Sequence, residues 1–242
     1  VHPLDVELPL GCLTVVTGVS GSGKTTLVLE CLVPALGALS KGEKLPSQVR
    51  SLDPSGIAKV HLIDSTPIGA NVRSTVATYS GVMDKLRRAF AQAPSAKERG
   101  LHAGDFSYNI GSLRCTVCDG TGTISLDVQF LPDVEITCPS CHGGRFGDAA
   151  WEVKRSFARA RKGTEPQLFA SPELMEVTID ETLEAVSSLK RVRAQLQVLH
   201  NLGLGYLTLG KATPALSGGE AQRLKLAGEV ERDQKDALFV FD

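Results

Sequence analysis

The sequence predicts an α/β fold in which a mostly helical region and a small cysteine module interrupt an open-sheet lobe. Three features carry this prediction: an apolar run at 13–17 that leads into a glycine-rich loop, a second apolar run at 238–242, and two Cys-x-x-Cys pairs between them. Short β-branched runs bounded by glycine are typical of buried strands. We therefore expect both apolar runs to be adjacent strands of one sheet.

The predicted lobes follow from where these features fall. One lobe comprises residues 1–81 and 233–242, and the inserted, mostly helical lobe comprises residues 82–232. Within the insertion, the glycine-rich residues 103–150 hold the cysteine pairs and form the small module. In chain order we expect a strand at 13–17, a helix at 25–36, a strand at 60–64, a helix at 81–92, a strand at 123–130, helices at 178–202 and 220–230, and a strand at 238–242.

Local signals set two of the helix ends. Pro34 and Gly37 are expected to end the first helix, because proline and glycine interrupt helical hydrogen bonding. Thr178 and Glu181 match the S/T-x-x-E pattern of a capping box, which satisfies two backbone N–H groups at the start of a helix.

A phosphate-binding loop is predicted at residues 18–25, which match the pattern G-x-x-x-x-G-K-[ST]. Glycines allow the backbone to curl until several N–H groups point at one anion, and the following helix adds the positive end of its dipole. Lys24 is then placed to reach the β- and γ-phosphates of ATP, and the Thr25 hydroxyl to bind Mg²⁺. The residues expected to form this cradle are Gly18, Ser20, Gly21, Ser22, Gly23, Lys24, Thr25 and Thr26.

The last residue, Asp242, follows the apolar run Leu-Phe-Val-Phe. This arrangement is typical of a Walker B strand, whose Asp holds Mg²⁺ directly or through water. The predicted catalytic residues are therefore Lys24, Thr25 and Asp242. The glutamate that usually polarises the attacking water would come next, so we expect the chain alone to be incomplete for hydrolysis.

Residues 216–220 read Leu-Ser-Gly-Gly-Glu and open a predicted helix with Ser217 as its N-cap. The phrase resembles the signature of ABC-type ATPases, which closes on the γ-phosphate of ATP held by another ATPase domain. With the P-loop, it implies an ABC-type ATPase lobe, a helical signature lobe and a partner ATPase domain in cis or in another subunit. The signature residues expected to contact nucleotide are Ser217, Gly218, Gly219 and Glu220.

Four cysteines form a metal-binding pattern. Cys115-x-x-Cys118 and Cys138-x-x-Cys141 are separated by nineteen residues, which matches the spacing of a four-cysteine zinc site. Glycines after each pair leave backbone N–H groups to bond thiolate sulfur. Four thiolates complete a tetrahedral shell, so we expect a structural Zn²⁺ without a position for catalytic water.

Composition adds few constraints. The chain has 242 residues, a net charge of −1 and 42% hydrophobic residues, which is typical of a globular protein with a sizeable core. No apolar run approaches the roughly 20 residues of a membrane span, and metal-type cysteine spacing favours a reducing cytosol over disulfides. The other cysteines, Cys12 and Cys31, are predicted to be buried. The chain begins without Met and ends on a strand, so we expect it to be part of a larger protein.

A four-cysteine module between a P-loop and a signature resembles the UvrA family, the damage-sensing subunits of bacterial nucleotide excision repair. The resemblance covers nearly the whole chain and is to the second, C-terminal ATPase half. The sequence segments that resemble the UvrA family lie at residues 16–24, 66–69, 77–79, 130–134, 203–206 and 216–223.

The resemblance implies a cytoplasmic ATPase that uses ATP, Mg²⁺ and Zn²⁺, pairs with the second ATPase half of the same protein and forms a homodimer. It implies binding to double-stranded DNA by its deformability rather than its sequence. It also implies loading of UvrB, which recruits the nuclease and whose binding region is not in this chain. No membrane partner is implied.

Departures from the family pattern point to a divergent paralogue. Ser65 stands where the family usually has Gln, which senses Mg²⁺ and the γ-phosphate, and residues 111–114 and 152–176 also differ. Candidate DNA contacts are Arg114 and a basic run whose members are Lys154, Arg155, Arg159, Arg161 and Lys162. The alternative for these charges is an ordinary solvated face.

Two other functions remain open from the sequence. An ABC-type efflux or resistance ATPase subunit would share the nucleotide motifs but gives the zinc module no role. A nucleotide-binding module with little turnover is the other alternative, which Ser65 favours.

Overall fold

A computed structural model describes residues 3–126, 134–157, 167–230 and 234–242. The chain divides into two compact units. Val1–Leu62 and Gln234–Asp242 form what we call the P-loop unit, and Ile63–Asp233 form the helical unit. The division of functional lobes at residues 81 and 233 stays a prediction.

The described part of the chain is built from short helices and strands. The helices are α1 Val33–Lys41, α2 Val76–Tyr79, α3 Val82–Phe90, α4 Pro94–Glu98, α5 Ser171–Glu176, α6 Ile179–Ala185, α7 Lys190–Asn201 and α8 Gly218–Val230. The strands are β1 Lys59–Ile63, β2 Thr123–Leu126, β3 Val134–Thr137, β4 Lys154–Arg155, β5 Phe169–Ala170 and β6 Ala237–Phe241. A π-helical stretch, Thr26–Leu32, precedes α1, and Asp148–Ala150 and Thr213–Ala215 form short 3-10 turns.

The sheet of the P-loop unit joins β1 to β6. The strands predicted at 60–64 and 238–242 are therefore confirmed, but they pair with each other, whereas the predicted neighbour of 238–242 was the segment 13–17. His61 of β1 stacks on Phe239 of β6 with ring centroids 5.1 Å apart. Within β6, Val240 is buried, whereas Phe241 is 54% exposed. The terminal strand is thus less buried than its apolar sequence predicts.

The prediction that residues 13–17 form a buried strand in this sheet is wrong. This segment has no strand partner among the described residues, and Leu13 and Val15 are 85% and 72% exposed. A β-strand is stabilised by hydrogen bonds to a neighbouring strand, which local sequence cannot supply. Cys12 lies beside this segment and is also exposed, contrary to the expected burial, while Cys31 is half-buried.

The first helix extends further than predicted. Pro34 does not end it but lies near the start of α1, directly after the π-helical stretch. The carbonyl of Glu30, four residues earlier, accepts from the side-chain amide of Gln48 at 2.7 Å, which compensates for the N–H that proline lacks. The helix ends at Gly42, which adopts φ +71° and bonds back to Ala38 and Leu39. A glycine in this left-handed conformation is a common helix terminator.

The core of the helical unit surrounds α3. Val82, Leu86 and Phe90 recur on one face and are buried, as the helical pattern at 81–92 predicts. Phe90 stacks on Phe106 at 5.6 Å and meets Phe157 edge-on at 5.1 Å. α3 packs against α7, which in turn packs against α6 and α8, so the signature helix α8 belongs to this core.

The helix predicted at 178–202 is two helices. α6 ends at Ala185 and α7 begins at Lys190, and the backbone N–H of Ser188 instead donates to the carbonyl of Phe157 at 2.9 Å. Serine competes with helical hydrogen bonding, which accounts for a break at this point. The capping box at the start is confirmed: the N–H of Glu181 donates to the Thr178 hydroxyl, and the N–H of Thr178 donates to the Glu181 carboxylate.

The cysteine module contains an antiparallel hairpin. β2 pairs with β3 from Thr123 opposite Thr137 to Leu126 opposite Val134. The strand predicted at 123–130 is confirmed as far as Leu126, and its remainder lies outside the described residues.

Two residues of the predicted basic run, Lys154 and Arg155, form β4. The other residues of that run lie outside the described part of the chain. No helix in the described part of the chain is long and apolar enough to cross a membrane.

Candidate nucleotide, signature and metal sites

The P-loop residues form an open turn in front of the π-helical stretch. Gly21 and Gly23 have φ of +78° and +87°, a conformation that glycine adopts without strain. The ammonium of Lys24 donates to the carbonyls of Gly18 and Val19, both at 2.8 Å. The cation therefore lies against the same turn whose backbone would receive a phosphate.

The threonines after Lys24 begin the helix. Thr25 is the residue at its N-terminal boundary, and its side chain makes no capping hydrogen bond. Thr25 and Thr26 are exposed. The binding of Mg²⁺ by the Thr25 hydroxyl stays a prediction. Asp242, the third predicted catalytic residue, directly follows β6 and is exposed.

The signature residues form a second capping box. The N–H of Ser217 donates to the Glu220 carboxylate at 2.7 Å, and the N–H of Glu220 donates to the Ser217 hydroxyl at 3.4 Å. The other carboxylate oxygen of Glu220 accepts from the Tyr206 hydroxyl at 2.5 Å. Glu220 thus connects the signature turn to Tyr206. Tyr206 belongs to the segment 203–206 that resembles UvrA, but the sequence did not predict that it lies at this site.

These contacts shift two pKa values in opposite directions. The hydrogen bond from Tyr206, followed by the N–H of Ser217, lowers the pKa of Glu220 below its ordinary value. The same bond to Glu220 raises the pKa of Tyr206. Glu220 is therefore a carboxylate, and Tyr206 a neutral donor, at neutral pH.

The substitution Tyr206→Phe keeps the ring but removes the donor, so the pKa of Glu220 should rise toward its ordinary value. Because the folded pKa lies below the unfolded one, Glu220 contributes stability above the unfolded pKa that is lost as pH falls through the folded value. NMR titration of the Glu220 carboxyl, with Tyr79→Phe as the control, measures the shift. An unchanged Glu220 pKa in Tyr206→Phe would contradict the assignment.

The four predicted metal ligands come together in space. Their sulfur atoms all lie within 4.8 Å of one another, with Cys115 to Cys138 at 3.9 Å and Cys118 to Cys141 at 3.6 Å. A tetrahedral site with Zn–S bonds of about 2.3 Å requires sulfur atoms about 3.8 Å apart. The cluster therefore fits a four-coordinate metal ion.

Backbone N–H groups favour the thiolate form of part of this cluster. Burial disfavours the thiolate of Cys115, but the N–H groups of Cys118 and Val117 and the neighbouring thiols outweigh it and lower the pKa to about 7. Burial raises the pKa of Cys141 to about 12. Gly122 donates its N–H to the Cys118 sulfur at 3.3 Å, as expected for glycine after a Cys-x-x-Cys turn. Metal binding would deprotonate the remaining thiols.

A buried cation that the sequence did not predict connects the cysteine module to another segment of the helical unit. Arg145 is only 6% exposed, donates to the carbonyls of Val72 and Gly120, and lies 5.3 Å from the centre of the Tyr108 ring. Its position soon after the last cysteine gave no signal of this role.

The cluster also carries an exposed ion-pair group. Asp119 follows Cys118, accepts a hydrogen bond from Arg73 at 2.7 Å and forms an ion pair with Arg114, with 2.6 Å between the nitrogen and oxygen atoms. Arg73 first, then Arg114, lowers the pKa of this carboxyl. Arg114, predicted as a DNA contact, thus already has a partner within the chain.

Comparison with known proteins identifies the family. No protein-family model matches the chain. The UvrABC system protein A of Oceanobacillus iheyensis is 41% identical over 242 residues, which cover 99% of this chain and 24% of the relative. The chain belongs to the UvrA family. The protein of the same name from Bacillus subtilis is also 41% identical, again over 99% of this chain and 24% of the relative.

A solved structure supports the same assignment. The crystal structure of UvrA2 from Deinococcus radiodurans has a TM-score of 0.77 and 38% identity, covering 93% of this chain and 26% of that one. The chain spans about a quarter of the length of the UvrA relatives it matches. The predicted resemblance to UvrA is thereby confirmed.

Proposed function

We propose that this chain is the C-terminal ATP-binding half of a UvrA-like ATPase that inspects duplex DNA in nucleotide excision repair. The observation that carries the proposal is the combination of a P-loop, a capped signature turn and a four-cysteine cluster in one UvrA-family chain. Within an ABC-type lobe, Lys24 would bind the β- and γ-phosphates, and Thr25 and Asp242 would hold Mg²⁺.

The signature turn suggests how the halves cooperate. Beside the box formed by Ser217 and Glu220, the N–H groups at the start of α8 would bind an anion. In ABC-type ATPases this anion is the γ-phosphate bound by a partner domain. The proposed partners are therefore the second ATPase half of the full-length protein and a second copy in a homodimer.

The cysteine cluster is proposed as a structural Zn²⁺ site. Its four sulfurs would complete the metal's coordination, so the ion would stabilise the module rather than activate water. Arg145 and Asp119 connect the cluster to residues 72 and 73. Zinc would thus fix the position of the surface around Arg114.

Duplex DNA is the proposed macromolecular ligand, with UvrB as the protein loaded and the cytoplasm as the compartment. The contacts of the described basic residues show which of them is the better candidate for binding DNA. Arg114 is paired with Asp119, and Arg155 donates to the carbonyl of Ala89, so both have partners within the fold. Lys154 is exposed, so it is a better candidate for a DNA contact than Arg114 or Arg155.

Reversal of charge at Lys154 and Arg159 tests the DNA proposal. In the full-length protein, Lys154→Glu with Arg159→Glu should weaken duplex binding and reduce the slope of log affinity against log salt by about 1.8, because each phosphate contact contributes about 0.9. Fluorescence anisotropy with intact and lesion-bearing duplexes across salt concentrations measures both. The control is Lys41→Glu with Lys44→Glu, which makes the same change in charge on exposed residues of the P-loop unit.

Two outcomes would count against the proposal at different levels. Equal affinity and slope in the double variant and the wild type would remove Lys154 and Arg159 from the interface. Failure of the wild-type protein to bind either duplex at low salt would remove the repair function itself.

Two observations favour a divergent role within the family. Ser65 replaces the usual Gln, and the solved relative is named UvrA2. A serine hydroxyl reaches less far than a glutamine amide toward Mg²⁺ and the γ-phosphate. Nucleotide binding with little turnover is therefore the second candidate, and UvrA membership favours both candidates over an efflux subunit.

A further inference from the structure

One face of α8 lies on the segment where the chain enters the helical unit. Gly218, Gln222 and Lys225 recur at helical spacing, and all three meet residues 63–66. The Gln222 amide donates to the carbonyl of Ile63, the last residue of β1, at 3.0 Å. The signature helix therefore contacts this segment along about two of its turns.

Lys225 makes the densest set of these contacts. Its ammonium donates to the carbonyl and hydroxyl of Thr66, each at 2.9 Å, and to the carbonyl of Asp64 at 3.2 Å. It also forms an ion pair with the Asp64 carboxylate. The side chains of Lys225 and Asp64 are only 18% and 25% exposed, so solvent screens this pair less than a surface pair.

The segment also packs directly on the first residue of the signature helix. A Cβ atom added at Gly218 would lie 3.2 Å from both the Cβ and the carbonyl oxygen of Ser65. A side chain at position 218 would therefore require Ser65 to shift by a few tenths of an ångström. A shift of residues 63–66 would therefore displace the neighbouring turn that contains Ser217.

Packing alone does not fix the position of α8 along this segment. The helix buries Ala221 and Leu224 in the apolar core of the helical unit, and these contacts are non-directional. These apolar contacts do not involve Lys225. Directional hydrogen bonds define the register of α8 against residues 63–66, one from Gln222 and several from Lys225.

We infer that Lys225 is a positioning residue for nucleotide turnover, holding the signature helix in register with residues 63–66 so that the turn at Ser217 is presented to the γ-phosphate in one orientation. This inference rests on the proposed ATPase function. Lys225 itself contacts Asp64 and Thr66 and is assigned no contact with nucleotide.

The test compares Lys225→Met, Lys225→Arg and the wild type in the full-length protein. Lys190→Met is the matched control, because Lys190 is an exposed lysine on α7. Lys225→Met should lower kcat for ATP hydrolysis by about tenfold or more, since misplacement of a reacting group is costly. The KM for ATP should stay within about twofold, because the P-loop is unchanged.

Two further readouts separate positioning from folding. Lys225→Arg keeps the charge and the donors and should retain most of the wild-type kcat. In nucleotide-free protein, hydrogen exchange at residues 64–66 should be faster in Lys225→Met. Its zinc content should match that of Lys190→Met and it should stay folded at the assay temperature, although the loss of a partly buried ion pair lowers its thermal midpoint.

Each outcome decides the inference. A kcat of Lys225→Met equal to that of an active wild type would overturn this inference alone. Loss of zinc, or unfolding of Lys225→Met at the assay temperature, would assign Lys225 to folding and also overturn it. A wild-type protein without ATP hydrolysis would overturn both this inference and the proposed function.

Discussion

Replacing Lys24 with Ala should remove one ATP site from the full-length protein. The variant should bind ATP at this P-loop about 100-fold or more weakly, because hydrogen bonds from a charged donor to two phosphates each contribute about 1.5–3 kcal/mol. A second P-loop is expected elsewhere in the full-length protein, so isothermal titration calorimetry should show one fewer site per protomer.

The control for this prediction is Lys44→Ala, which removes an exposed lysine from the same P-loop unit. It should leave the number of sites and their affinities unchanged. Unaltered stoichiometry and affinity in Lys24→Ala would show that residues 18–25 are not the nucleotide site.

Replacing Cys138 with Ser should release the metal and unfold the cysteine module. Cys138 is fully buried, and its sulfur lies 3.9 Å from that of Cys115. Zinc binding at structural sites contributes about 10–16 kcal/mol to the folding of small zinc domains, so a lost ligand has a large effect. Elemental analysis of protein purified without chelator should find one zinc fewer than in the wild type.

The matched control is Cys31→Ser, since Cys31 is a half-buried cysteine outside the cluster. It should retain all of its zinc. A wild-type protein that holds no zinc in this cluster, or that shows a disulfide between any two of Cys115, Cys118, Cys138 and Cys141, would disprove the metal site.

Features encoded in short stretches of sequence were predictable. The spacing of the cysteine pairs predicted the cluster that forms, and the pattern Thr178-x-x-Glu181 predicted the observed capping box. The periodicity of Val82, Leu86 and Phe90 likewise predicted the buried face of α3. In each case the interacting groups are set by local geometry or by metal-ligand chemistry.

Features that depend on distant partners were not predictable. Residues 13–17 have the composition of a strand but lack a neighbouring strand in the described chain, and composition alone does not reveal that. Lys225 meets Asp64 across 161 positions of sequence, and Arg145 reaches Val72 across 73. No local sequence pattern predicts such contacts, because they form only when packing brings distant segments of the chain together.

The most direct test of the central proposal is the rate of ATP hydrolysis by the full-length protein with intact and with lesion-bearing duplex DNA. We predict that the wild type hydrolyses ATP, that its rate differs between the two duplexes, and that Lys24→Ala abolishes this difference. A wild-type rate that neither duplex changes, and that Lys24→Ala leaves intact, would contradict the assignment of this chain to a DNA-inspecting ATPase.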